Sequence, residues 1–146
     1  MNLRALLPDL GLLVLRLGLG GIMLTHGFGK LTNFAAMTDK FADPFGLGMT
    51  VSLVLAVFAE FFCSLGLIVG LATRLAVIPL IVTMATAFFI IHANDPFMKK
   101  ELALVYLVGY VGLGFMGAGR LSLDHLVAGW WSKRKATSSV GGSRRG

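Results

Sequence analysis

The chain has 146 residues, of which 56% are hydrophobic and 14% are charged, and its mean hydropathy is +0.83. Because about a quarter of the residues of a soluble domain are charged, this composition excludes an ordinary water-soluble protein and predicts a single membrane domain. The formal net charge of +6 comes from basic residues scattered at the ends of apolar segments, which argues against a nucleic-acid partner.

Four continuous apolar segments run through the chain, at approximately residues 10–31, 49–71, 75–92 and 102–118. A helix of about 20 apolar residues crosses a hydrocarbon core roughly 30 Å thick. The segments are too long and too few to close a β-barrel, so the sequence predicts an all-α polytopic membrane protein, a bundle of four transmembrane helices. A cleaved signal peptide is the alternative for the first segment, but Arg16 interrupts it and no small-residue cleavage site follows closely.

The first segment ends in LTHGFGKLTN, at residues 24–33, and a more polar connection follows it. The glycines and lysine do not form a phosphate-binding loop, because Leu31 stands where that motif needs a hydroxyl residue. Beyond this stretch, Phe34, Met37 and Phe41 recur at helical spacing. The spacing predicts a short helix in the interface on the outer side of the membrane, with a plain connecting loop as the alternative.

The distribution of basic residues predicts the orientation of the bundle. With four spans, the two termini and the connection between the second and third spans share one side, which holds eight basic residues against four on the other. The positive-inside rule therefore predicts that both termini are cytoplasmic. Residues 1–132 are predicted to form the transmembrane domain, and the basic, glycine- and serine-rich residues 133–146 a disordered tail.

Four polar side chains at membrane depth are candidates for a site: Arg16, His26, Glu60 and His92. Such groups are costly in the membrane, so they usually face the bundle interior and pair with one another. On a helical wheel, Arg16, His26 and Lys30 share one face of the first span. Counting about 1.5 Å per residue places Arg16 and Glu60 at similar depths. The sequence therefore predicts an Arg16–Glu60 pair, either as a static link between helices or as part of a catalytic proton relay.

The two histidines have matching predicted depths near the outer ends of the first and third spans. Two imidazoles at one level of a four-helix bundle could carry protons or ligate a haem. Without a fuller motif, however, they are a weak signal for haem, and no metal site is predicted. The alternative is that His26 and His92 each cap a span at the interface through hydrogen bonds to backbone or water.

Most of these polar and glycine positions lie in four stretches of the sequence: RLGLGGIMLTHGFGKL, FAEFFCSLGLIVGLATRLA, FFIIHAN and GAGRLSLDHL. Over about residues 11–126 the chain resembles the DoxX family of small bacterial membrane proteins. The resemblance implies a four-helix fold in the bacterial inner membrane and redox chemistry, since namesake relatives look like membrane subunits of thiosulfate:quinone oxidoreductase. The positions that match the family's motifs are Arg16, His26, Gly27, Lys30, Glu60, Arg74 and His92.

The resemblance implies a redox subunit in which a quinone head group enters between the helices from the bilayer. Glu60, His26 and Arg16 are then the catalytic candidates, and His26, Lys30 and His92 are the candidates for binding the cofactor. A soluble redox subunit on either face, or a second copy of the chain, would be the protein partner. The alternative is a non-catalytic anchor or assembly protein for a soluble redox or stress-response enzyme. A transporter fits less well, because the chain shows no inverted repeat or broken span.

Overall fold

The computed structural model describes residues 3–131, and all regular secondary structure in this range is helical. The helices are α1 (Leu3–Thr32), α2 (Phe34–Met37), α3 (Met49–Val69), α4 (Thr73–Ile91), α5 (Phe97–Met116) and α6 (residues 123–131). A π-helical turn interrupts α3 at Phe58–Cys63, and another ends α4 at Ala87–Ile91. The predicted all-α fold is confirmed, and the predicted tail at residues 133–146 lies outside the described residues.

Among the described residues, three helices are long and apolar enough to cross a membrane: Leu6–Thr32, Met49–Val69 and Thr73–Ile91. These helices agree with the first three predicted spans. The fourth predicted span lies within α5, which is 20 residues long. Three charged residues lie near the start of α5, at positions 99–101. A fourth membrane crossing therefore stays a prediction.

Glycines let α1 pack closely against α3. A Cβ atom at Gly27 would lie 2.5 Å from the carbonyl carbon of Glu60 and 2.5 Å from the backbone nitrogen of Phe61. One at Gly20 would lie 2.8 Å from the side chain of Ile68. Because apolar burial adds little to helix association in lipid, close packing at small residues is a main source of attraction. These contacts fix the register of α1 against α3.

The core of the bundle lies between α1, α3, α4 and α5. Its buried apolar side chains are Met23, Cys63, Leu67, Val77, Leu80, Met84, Tyr106, Tyr110 and Leu113. Many other large apolar side chains on the same helices are exposed. Extensive exposed apolar surface is expected of a protein whose helices face lipid.

Asp43 orders the connection between α2 and α3. Its carboxylate accepts hydrogen bonds from the backbone N–H groups of Leu47 and Gly48, at 3.0 and 2.8 Å, and from the Ser52 hydroxyl at 2.8 Å. The Ser52 bond, followed by the bond from Gly48, lowers the pKa of Asp43. A helix of four residues, α2, follows the first span and ends at Met37, before Phe41, so the predicted interfacial helix stays a prediction.

Asp124 closes the turn between α3 and α4. Its two carboxylate oxygens accept hydrogen bonds from the backbone N–H groups of Ala72 at 2.6 Å and Thr73 at 3.0 Å. The first N–H groups of a helix have no partner within the helix, so a carboxylate placed there stabilises its start. Asp124, which lies in α6, therefore ties that helix to the beginning of α4.

Candidate functional site

The candidate site lies where the C-terminal half of α1 meets the π-helical turn of α3. Glu60 belongs to this turn and is 4% exposed. Single π-helical turns occur frequently at functional positions of helices. A buried carboxylate needs a cation or a proton to offset the loss of hydration. The backbone contact at Gly27 brings α1 close enough to supply a cation.

Lys30 is that cation. Its Nζ atom lies 2.5 Å from Oε2 of Glu60, and the side chains of Lys30 and Glu60 are 22% and 6% exposed. Lys30 follows Gly27 by three residues, so both lie on the face of α1 that packs against α3. The two residues form a largely buried ion pair that links the helices.

The predicted pair between Arg16 and Glu60 is wrong. The packing at Gly27 fixes the register of the two helices and leaves Arg16 roughly 16 Å from the level of Glu60, at about 1.5 Å per residue along α1. The depth count failed because it took the start of α1 and the end of α3 as level, whereas α1 extends beyond α3 and Arg16 lies beside the last carbonyls of α3.

Arg16 instead holds the C-terminal end of α3. The residue is 1% exposed, and its side chain donates from Nε to the Leu67 carbonyl at 3.1 Å and from Nη2 to the Ile68 carbonyl at 3.2 Å. Its Nη1 donates to the carbonyls of Ala118 and Leu121. The last carbonyls of a helix lack partners within it and attract cations. Arg16 therefore ties α1 and α3 to the segment before α6, away from the other predicted site residues.

Two cavities meet at the Lys30–Glu60 pair. The apolar cavity, of about 340 Å³, lies between α3, α4 and the connection at residues 41–47, and most of its lining side chains are apolar. The polar cavity, of about 210 Å³, lies between α1, α4 and α5. Lys30, Glu60 and His92 line both cavities. An apolar chamber beside a few convergent polar groups is the usual form of a small-molecule site.

The polar cavity brings together four of the predicted site residues: His26, Lys30, Glu60 and His92. The two histidines thus share one cavity, in agreement with their matched depths, and a shared haem stays a prediction. The described residues contain no group of three or more His, Cys, Asp or Glu side chains that could hold a metal ion.

His92 connects this cavity to the protein surface. Its Nδ1 atom lies 2.8 Å from Oδ2 of Asp95, and the two side chains are 40% and 36% exposed. The hydrogen bond with His92 is the largest cause of a lowered pKa at Asp95. A histidine with one ring edge in a cavity and a carboxylate partner at the surface is suited to moving protons.

Sequence reasoning missed two residues that α5 contributes to the polar cavity, Lys99 and Tyr106. Tyr106 is 3% exposed, and its hydroxyl has no hydrogen-bond partner among the described residues. The available signal was a polar aromatic ring within an otherwise apolar stretch of α5, since the chain has only two tyrosines. Hydropathy could not show which way that ring faces.

The sequence model of the DoxX family matches residues 11–93, which is more than half of the chain. The chain belongs to the DoxX family. The DoxX match runs from α1 through α4 and includes every site residue predicted from the sequence. Lys99 and Tyr106 lie beyond it, in α5.

Two further proteins resemble this DoxX protein over most of their length. An uncharacterised protein of Haemophilus influenzae is 32% identical over 124 residues, which cover 80% of this chain and 82% of the relative. The inner membrane protein YqjF of Escherichia coli K12 is 30% identical over 133 residues, which cover 86% of this chain and 98% of the relative. No solved structure matches the chain significantly. The family and the apolar helices establish a DoxX membrane protein in contact with a lipid bilayer.

Proposed function

We propose that this DoxX protein binds a quinone where its apolar and polar cavities meet and acts as the quinone-facing subunit of a membrane oxidoreductase. The observation that carries the proposal is the buried Lys30–Glu60 ion pair, which lines both cavities. Ionisable side chains inside a membrane protein are costly, and they mark ligand and proton pathways.

The chemistry of the lining side chains fits a quinone. The apolar cavity, at about 340 Å³, accommodates a ring and the start of an isoprenoid tail. The ring carbonyls of a quinone accept hydrogen bonds, and the polar cavity offers donors from Lys30, Lys99, His26 and His92. When bound, a quinone supplies an acceptor for a pair of electrons, and its reduction takes up a pair of protons.

The side chains of the site then have separate tasks. Lys30 donates to a ring carbonyl and fixes the head group beside Glu60. Glu60, a carboxylate in the resting ion pair, takes up a proton and passes it to the ring, and His92 passes protons between the cavities and the surface through Asp95. The electrons come from a soluble redox subunit. In this proposal Arg16 is a structural residue, because its donors are already bonded to backbone carbonyls.

The proposal also includes a topology in the bacterial inner membrane. We place α1, α3, α4 and α5 across the bilayer, with both termini in the cytoplasm and α2 in the periplasmic interface. The excess of basic residues on the side of the termini supports this orientation. The His92–Asp95 pair then faces the periplasm, so protons exchange with that side.

Extraction of lipids from detergent-purified protein tests the proposal. We expect ubiquinone or menaquinone to be retained by the wild-type protein and by Lys40→Ala, which removes a lysine outside both cavities. Lys30→Ala should release most of the quinone, because it removes the donor beside Glu60. A wild-type protein that retains no quinone and takes up no added decylubiquinone would overturn the proposal and favour the non-catalytic anchor.

A further inference from the structure

Tyr106 has a buried hydroxyl that the bundle itself does not satisfy. The residue is 3% exposed, and its Oη atom has no hydrogen-bond partner among the described residues. Burying a hydroxyl without a partner destabilises a folded protein, so nearly all buried polar groups are paired. An unpaired hydroxyl on a residue that lines a cavity therefore points to a partner outside the protein chain.

The hydroxyl belongs to a ring that is held in place at the polar cavity. Tyr106 lines this cavity together with His26, Glu60 and His92. Its ring stacks on that of Tyr110, with the ring centroids 5.7 Å apart and the planes inclined by 23°. A buried, stacked ring has little freedom to move, so the position of the hydroxyl oxygen is set before a ligand arrives.

Tyr110 provides an internal comparison. It lies one helical turn further along α5, and its hydroxyl donates to the backbone carbonyl of Leu19 at 3.4 Å. It lines neither the apolar nor the polar cavity. The same residue type thus appears twice on one helix, once with its hydroxyl bonded to the protein and once with an unbonded hydroxyl on a residue that lines a cavity.

We infer that the Tyr106 hydroxyl donates a hydrogen bond to a ring carbonyl of the bound quinone and so sets the orientation of the head group. This inference rests on the proposed quinone site and adds a residue from α5 to it. Because a phenolic hydroxyl both donates and accepts, Tyr106 can also accept a hydrogen bond from the ring hydroxyl of the reduced quinone. An ammonium group such as that of Lys30 can only donate, so Tyr106 is suited to hold both redox forms.

Binding of decylubiquinone and of menadione to protein in nanodiscs tests the inference. Tyr106→Phe removes one hydroxyl and keeps the ring. For whichever of the two quinones the wild type binds, the Kd of this variant should be roughly three- to ten-fold higher, as expected for one lost hydrogen bond. Tyr110→Phe is the matched control, and its Kd should stay within about two-fold of the wild-type value because its hydroxyl faces Leu19.

The melting temperature of the ligand-free protein gives a second readout. Tyr106→Phe removes an unpaired buried hydroxyl, so its melting temperature should equal or exceed that of the wild type. A lowered melting temperature would overturn the inference, since it would reveal a partner for the hydroxyl within the protein. If the wild type binds quinone and Tyr106→Phe binds it with the same Kd, the role of Tyr106 is overturned and the proposed quinone site is not. If the wild type binds neither quinone, the proposed function fails as well.

Discussion

Glu60 depends on Lys30 for its charge to be tolerated, and Arg16 has no part in their interaction. Both cations lie on α1, and the sequence identified all three residues as important. The prediction chose the wrong cation, Arg16, because a long side chain reaches several levels of a neighbouring helix and hydropathy carries no information on helix register. Arg16 binds backbone carbonyls at the end of α3, and a sequence does not show which backbone groups are free to accept hydrogen bonds.

A pair of double-mutant cycles distinguishes the two cations. Lys30→Ala and Glu60→Ala should each lower the free energy of unfolding by roughly 3 kcal/mol, the low end for a buried pair because Lys30 is partly exposed. The double variant should lose less than the sum. The cycle of Arg16→Ala with Glu60→Ala should be additive within about 0.5 kcal/mol. Denaturant titrations in micelles measure both, and a larger coupling to Arg16 would contradict the structure.

The His92–Asp95 pair predicts a defined effect of acid. The pKa of Asp95 is lowered from its usual 3.8, first by the hydrogen bond with His92. A lowered pKa in the folded state stabilises the protein above the unfolded-state pKa, and this contribution is lost as the pH falls through the folded-state pKa. His92→Ala should therefore raise the pKa of Asp95 toward 3.8 and reduce that contribution, of which the part due to Lys99 and Lys100 remains.

Carboxyl titration by NMR measures this change, with Asp43 as the control. The largest cause of the lowered pKa of Asp43 is its hydrogen bond with Ser52. His92→Ala should therefore leave the pKa of Asp43 unchanged, and Ser52→Ala should raise it. An Asp95 pKa that stays low without His92 would show that the histidine is not the main cause of the shift.

Among the helices, packing contacts rather than apolar length decide which residues meet. The predicted ends of the second and third spans agree closely with α3 and α4, because turn residues bound those segments. The predicted starts of the first and fourth segments fall inside α1 and α5, which begin at Leu3 and Phe97. Both helices begin with turns that contain charged residues. Such residues lower the hydropathy without ending the helix, so hydropathy places the starts of α1 and α5 too late in the sequence.

Two glycines of α1 test the importance of this packing. Gly27→Ala should lower the free energy of unfolding by about 1–3 kcal/mol, because the new Cβ would lie 2.5 Å from the backbone of α3 and would force the helices apart. Gly21→Ala should stay within about 1 kcal/mol of the wild type, since no atom lies within 4 Å of its Cβ position. Denaturant titration of both variants measures the difference, and equal effects would contradict the close contact at Gly27.

In the whole molecule, the two ends of the bundle have different tasks. Arg16 and Asp124 join one end through hydrogen bonds to backbone groups, and the two cavities that meet at the Lys30–Glu60 pair lie toward the other. The sequence predicted the fold class, the family and four of the residues that meet in the polar cavity. It could not predict the cavities themselves, because they are spaces left between helices. Nor could it place Tyr106, whose direction depends on the rotation of α5.

The proposed orientation of the molecule is open to a direct test. A reporter fused after Trp131 should be active as a cytoplasmic fusion, and one inserted near Asp43 should be active as a periplasmic fusion, because basic residues are concentrated on the side of the termini. Alkaline phosphatase and green fluorescent protein report the two compartments. The reversed pattern would place the His92–Asp95 pair on the cytoplasmic side and contradict the proposed route for protons.

Photolabelling with an azidoquinone reports where a quinone lies on the protein. We expect covalent label on peptides that line the two cavities, from α1, residues 41–47, α3, α4 and α5, and loss of that label when excess decylubiquinone competes. Lys30→Ala should reduce the labelling, and Lys40→Ala should leave it unchanged. Label spread over the lipid-facing surface, unaffected by competing quinone, would contradict a quinone site at the Lys30–Glu60 pair.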